Sequence, residues 1–176
     1  MSTRTVLHEA DIARALTRIS HEILESNKGP DGLILLGIPT RGVALAHRIA
    51  TLVGEFSDTT IPTGALDVTM YRDDLHRNPT RAPQPTQIPA GGIDGKTVVL
   101  VDDVLFSGRS IRSALDALQD IGRPAAVRLA ILVDRGHRDL PIRPDFVGKN
   151  LPSSRDERVN VRLADVDGIE EVTIES

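Results

Sequence analysis

Three short runs constrain this chain most: LILLGI (33–38), TVVLVD (97–102) and VRLAILVD (127–134). Each is almost wholly apolar, so each suits a strand covered on both faces rather than one with a wet side. Between and before them lie segments with helical periodicity. EADIARALTRISHEILES (9–26) repeats Ile12, Leu16, Ile19 and Ile23 on one face, and SIRSALDALQDIG (110–122) repeats Ile111, Ala114, Leu115 and Leu118. GVALAHRIATLVG (42–54) also reads as a helix, with Gly54 as its stop. Buried strands alternating with helices predict an α/β fold with a mainly parallel twisted sheet flanked by helices. In such sheets ligands bind beyond the carboxyl ends of the strands.

Further strands are predicted over LDVTMYR (66–72), VNVRL (159–163) and EEVTI (170–174). Two stretches break the pattern. Residues 77–95 hold four of the eleven prolines and three glycines, and residues 135–154 read as irregular. A structureless stretch of that length inside a domain is usually functional or disordered.

The length of 176 residues fits one domain, residues 1–176. With 2% aromatics the core must be aliphatic, and the absence of cysteine removes disulfides and thiolate metal sites. No apolar run approaches a membrane span and the first residues carry no signal-peptide core, so a cytoplasmic protein with no membrane partner is expected. The net charge of -4 gives no bulk support to a nucleic-acid partner. Any such surface must be local. Residues 123–158 gather eight Lys and Arg against five acids, and the helix 9–26 carries a polar stripe of Arg14, Thr17, Arg18, His21 and Glu25.

The chemistry concentrates in VVLVDDVLFSGRS (98–110). Asp102 and Asp103 end a strand, and Ser107, Gly108, Arg109 and Ser110 lead into a helix N-terminus. Unpaired N–H groups and the macrodipole favour an anion there, Gly108 allows close approach, and the serines add donors. The Lys and spacing of a Walker loop are absent. Ribose hydroxyls donate to carboxylates, so an acid pair a few residues from a phosphate cradle predicts a ribose 5-phosphate site. Thr40-Arg41-Gly42, between a strand end and a helix start, offers a second anion site with Arg41 as a fixed cation.

The segment 98–110 resembles the phosphoribosyl-pyrophosphate (PRPP) signature of type I phosphoribosyltransferases. Within them the chain is most similar to the PyrR family of bifunctional pyrimidine operon regulators and uracil phosphoribosyltransferases. ALTRISHEILESNKG (15–29), GIPTRG (37–42), LDVTMYRDDL (66–75) and LVDRGHRDLPIRPDFVGKNLPSS (132–154) carry that likeness. The resemblance implies a type I phosphoribosyltransferase fold with a small hood near 135–158 and a flexible flap near 72–90. It implies that uracil and PRPP give UMP and diphosphate with Mg²⁺, held by Asp102 and Asp103 directly or through water. Asp102, Asp103 and Arg41 are then the catalytic candidates. Thr40, Arg41, Gly42 and Arg72 would meet diphosphate, and the run Asp102, Asp103, Val104, Leu105, Phe106, Ser107, Gly108, Arg109, Ser110 would hold the ribose phosphate. Asp134, Arg135 and Val159 are candidates for the base, with Leu105 and Phe106 walling its pocket.

The same resemblance implies uridine-nucleotide-dependent binding to pyr operon mRNA, with Thr17, His21, Arg138, Arg143 and Lys149 as candidate contacts, and a homodimer or higher homo-oligomer. Pro39 stands where relatives often carry a lysine, and Ser107 and Ser110 replace commoner threonines. Two other readings remain open at this point. One is a nucleotide-sensing RNA-binding regulator with little catalysis; the other is a phosphoribosyltransferase for another base.

Overall fold

Strand β2 (Leu33–Gly37) is buried at every position, and the reason is visible in where alternate side chains go. Leu33 and Leu35 join one apolar cluster, while Ile34 and Leu36 join another. The same division holds along β4 (Thr97–Leu105), where Val99 and Val101 face the first cluster and Val98 and Leu100 the second. In β5 (Ala126–Asp134) Ala130 and Leu132 oppose Leu129 and Ile131. Successive side chains leave a strand on opposite faces, so strands with a core on each side must be apolar throughout. This computed structural model describes residues 2–72 and 86–176.

The first cluster is closed by α1 (Glu9–Asn27) and α2 (Arg41–Ser57), the second by α3 (Arg109–Gln119). The main sheet has the order β3-β2-β4-β5-β6, all neighbours parallel, with β3 at Thr63–Ala65 and β6 at Phe146–Asn150. A second, antiparallel sheet pairs β1 (Thr3–Leu7), β8 (Glu171–Glu175) and β7 (Arg158–Arg162). The short helix α4 (Ala164–Asp167) links β7 to β8. Among the described residues no helix is long and apolar enough to cross a membrane.

The structure corrects several expectations. Residues 66–72 form no strand: Thr69–Tyr71 is a 3₁₀ turn, started where Asp67 accepts hydrogen bonds from the Thr69 N–H (3.1 Å) and hydroxyl (2.7 Å). An Asp side chain that captures the backbone two residues on competes with a strand ladder. Gly54 does not stop α2. It lies one turn inside the helix, where a Cβ would meet the Thr59 carbonyl oxygen at 2.6 Å, and the left-handed stop is Asp58. The irregular stretch 135–154 contains β6, and β1 and β3 were not foreseen. The strand predicted to end at Asp102 continues to Leu105, and α3 ends at Gln119 rather than at 122. Most of the expected flap, residues 73–85, lies outside the described residues.

Candidate active site

Two glycines bring the loop 38–41 against the acid pair. A Cβ on Gly37 would lie 2.4 Å from the Gly42 carbonyl oxygen, and one on Gly42 would lie 2.4 Å from the Val101 carbonyl oxygen. The start of α2 therefore rests directly on β4 at Val101. The Ile38 N–H donates to that same Val101 oxygen at 2.9 Å, and the Pro39–Thr40 peptide is cis. The sheet thus delivers Thr40 and Arg41 to the mouth of the strand that carries Asp102 and Asp103.

A cleft of about 220 Å³ opens there. Thr40, Arg41, Arg72, Asp102, Asp103, Val104 and Ser110 line it, so the structure gathers parts of three separate sequence segments. Asp67 and Thr69 line it too, and the sequence reading missed both because it placed them on a strand. Each acid of the pair caps its neighbour: Asp102 accepts the Asp103 N–H at 2.9 Å, and Asp103 accepts the Val104 N–H at 2.8 Å. These bonds orient the carboxylates and leave lone pairs for hydroxyl donors or a hard cation. Within the described residues no group of three or more His, Asp or Glu side chains forms a metal cage.

Arg41 is the first residue of α2, and Asp167 takes its guanidinium edge-on, Nε at 3.1 Å and Nη2 at 2.7 Å. Asp167 pushes the arginine's pKa upward against the effect of burial, and Asp103 adds to the rise.

Gly108 starts α3 in a left-handed conformation, with φ of 93°. A Cβ there would press on Ile142 at 3.0 Å, so glycine serves both the turn and the close packing. The Ser107 hydroxyl accepts the Arg109 N–H at 3.3 Å, and Arg109 pairs with Asp139 at 3.7 Å. Ser107 also offers its carbonyl to the Asp139 and Leu140 N–H groups, so residues 139–142 lie against the cradle loop.

The remaining predicted residues divide. Leu105 is 2% exposed and packs into the core on the α3 side rather than among the residues lining the cleft, and its carbonyl accepts the Arg135 N–H. Phe106 is covered by the Arg135 guanidinium, 4.2 Å above the ring, with the His137 ring edge-on at 5.9 Å. Arg135 is itself buried and donates to the Ser153 hydroxyl and the Ser154 carbonyl. Burial lowers its pKa, with Glu157 opposing. Asp134 is held by Arg138 at 2.6 Å and by the Gly136 N–H at 3.1 Å. Burial disfavours its charge, but these two donors win and keep its carboxyl below the ordinary range. Val159 is half-buried in β7 and packs, like Val104, against the α1 and α2 cluster.

Of the predicted RNA contacts, Thr17, His21 and Lys149 come together with Arg14 and Arg18 along one groove of about 820 Å³ between α1 and β6. His21 stacks on Phe56 with ring centroids 4.0 Å apart. Arg18 is drawn onto β6, donating to the Val147 and Gly148 carbonyls at 3.0 and 2.6 Å. Arg143 is exposed in the loop before β6. Arg138 does not line this groove: besides Asp134 it binds the Phe106 and Ile142 carbonyls and so ties residues 134–142 to the loop after β4.

A family model of the phosphoribosyl transferase domain matches residues 2–164. The chain is 71% identical to the Bifunctional protein PyrR of Leifsonia xyli subsp. xyli, covering 99% of this chain and 98% of that protein. It is 63% identical to the PyrR of Streptomyces coelicolor, covering 97% and 89%. With the PyrR of Mycobacterium tuberculosis it shares 56% identity over 98% and 93%. Among solved structures, a variant hypoxanthine phosphoribosyltransferase from Trypanosoma cruzi superposes with a TM-score of 0.76 at 16% identity, covering 98% of this chain and 94% of that one. A hypoxanthine phosphoribosyltransferase from Staphylococcus aureus gives 0.67 at 20%, covering 85% and 77%. At those identities the likeness establishes the type I phosphoribosyltransferase fold and nothing finer.

Proposed function

The chain belongs to the phosphoribosyl transferase domain family, within its PyrR members, and from that premise we propose how its own residues carry the two activities. The protein is a uracil phosphoribosyltransferase that joins uracil to PRPP, giving UMP and diphosphate. It is also a regulator of pyr operon expression that binds mRNA with the help of uridine nucleotides. The single observation that carries the enzyme reading is the cleft. It unites the acid pair of β4, the first turn of α3 and the loop before α2 around one volume.

In the reaction the C1–oxygen bond to diphosphate breaks and the bond from uracil N1 to C1 forms. The N1 proton is released, and diphosphate carries away the bonding pair. Little covalent work falls to the protein, so positioning and electrostatics dominate. Asp102 and Asp103 accept from the ribose hydroxyls and fix the ring. Ser110 and the N–H groups at the start of α3 hold the 5-phosphate. Thr40, Arg41 and Arg72 receive the diphosphate end. The chain over 135–158 forms the hood above the base, with Asp134 and Arg135 held in place by Arg138 and Ser153. Residues 72–90 act as the flap that excludes water during transfer.

Mg²⁺ fits this donor set. Asp102 and Asp103 offer hard oxygen ligands and would hold the ion at the cleft. When bound, it neutralises charge on the diphosphate leaving group.

RNA binding falls on the α1–β6 groove, where Thr17, His21 and Lys149 meet Arg14 and Arg18, with Arg143 exposed in the loop before β6 as a further candidate contact. Asp11 and Glu22 pair with Arg14 and Arg18 in the same groove, so Lys149 is the groove cation most available to an RNA phosphate. Nucleotide in the cleft and RNA on this face must then influence each other equally. Such a regulator works in the cytoplasm. Turnover with uracil but not with hypoxanthine, together with UMP-strengthened RNA binding, tests the combined reading.

A further inference from the structure

Asp167 lies beyond the family match, which ends at residue 164, yet it holds the side chain of the cleft-lining Arg41 by two hydrogen bonds. Its two oxygens grip Arg41 at Nε (3.1 Å) and Nη2 (2.7 Å), and one of them also accepts the Leu163 N–H at 2.8 Å. The carboxylate is thereby fixed by its own backbone before it fixes the arginine. The segment that carries it is anchored separately. Arg48, two turns along α2 from Arg41, donates to Asp165 and to Glu170 on either side of Asp167.

We propose that Asp167 is a positioning residue for the diphosphate end of PRPP: it holds the Arg41 guanidinium in one orientation at the cleft rim. This rests on the PRPP reading of the cleft. An unrestrained arginine loses much rotamer freedom when it meets a ligand, and a pre-ordered one has less to lose. The carboxylate occupies one edge of the guanidinium, and the other N–H donors of the fork remain for a second anion. Asp167 touches no reacting atom, so its influence runs through Arg41 alone.

The test compares wild type with Asp167→Ala, Asp167→Asn and Asp165→Asn. The last removes an Arg48 partner from the same segment without touching Arg41. In Asp167→Ala the KM for PRPP and the inhibition constant for diphosphate rise by up to about tenfold, the scale of ordering one rotamer-rich side chain on binding. The KM for uracil and kcat change by less than about twofold, since the interaction is with the diphosphate end only. Asp167→Asn keeps one acceptor and recovers part of the loss. Asp165→Asn leaves the PRPP KM at its wild-type value. Thermal melting of each variant confirms folding, and calorimetric titration with PRPP and Mg²⁺ reads the same contrast without turnover. A PRPP KM or Kd in Asp167→Ala that is unchanged or lower overturns the proposal. So does an equal rise in Asp165→Asn, which would make the effect structural. Wild-type protein that binds PRPP but forms no UMP would instead overturn the enzyme reading, and the titrations would still decide the role of Asp167.

Discussion

Gly42 sits so close to Val101 that a Cβ on the glycine would fall 2.4 Å from the valine's carbonyl oxygen. That approach sets the distance between the Thr40–Arg41 loop and the acid pair one residue beyond Val101. Gly42→Ala should therefore force α2 and β4 apart. Overpacking of this kind costs about 1–3 kcal/mol. Urea unfolding measures the loss, and PRPP affinity should fall with it. An alanine variant of unchanged stability would show that the helix start can shift freely.

A pH dependence follows from the arginine clamps on the α4 segment. The Arg41 guanidinium holds the Asp167 carboxyl below its ordinary value of 3.8, and Arg48 does the same for Asp165 and for Glu170. The folded protein then binds fewer protons than the unfolded chain near pH 4. Its stability from these groups is present above the ordinary carboxylate values and is lost progressively as pH falls below them through the lowered folded-state values. Arg48→Met should be less stable than wild type by about 1 kcal/mol at pH 7, a figure kept small because Asp165 is half-exposed. At about pH 3 the difference should be smaller, because falling pH protonates these carboxylates in the unfolded chain first and in the folded protein only below their lowered values. Unfolding curves at the two pH values check it; a gap undiminished in acid would mean that Arg48 acts through packing.

The two groups of predicted RNA contacts should separate in experiment. Lys149→Ala should weaken RNA binding, reduce the slope of log affinity against log salt by about one, and leave turnover intact. Arg138→Ala should damage turnover as well, because Arg138 binds Asp134 and the Phe106 carbonyl beside the cleft. Filter binding over a salt series, run beside a UMP assay, distinguishes them. Equal effects of both variants on RNA alone would contradict the division.

Much of the site was legible in the sequence because its chemistry is contiguous. The run from Asp102 to Ser110 holds an acid pair on a strand and a helix start, and both lie close to where the pattern put them, although the strand runs on to Leu105. The two buried clusters were legible too, since strands apolar at every position need a core on each face. What the sequence concealed was long-range. The hold of Asp167 on Arg41 spans 126 residues, and no local pattern announces it. Leu105 has the residue type of a pocket wall, yet it packs into the core on the α3 side. Residues 66–72 alternate like a strand, but Asp67 captures the backbone of Thr69 and bends the chain into the cleft instead. Strand β6 was hidden because Gly148, Lys149 and Asn150 give an edge strand little apolar signal.

The most direct test of the account is UMP formation from uracil, PRPP and Mg²⁺ by wild type and by the double variant Asp102→Asn/Asp103→Asn. Hydrogen bonds to charged acceptors are worth about 1.5–3 kcal/mol each, so losing both charges should cut turnover by roughly a hundredfold or more. The account predicts robust wild-type turnover that collapses in the double variant while the protein stays folded. A double variant as active as wild type, or a wild type that makes no UMP from uracil, would contradict it.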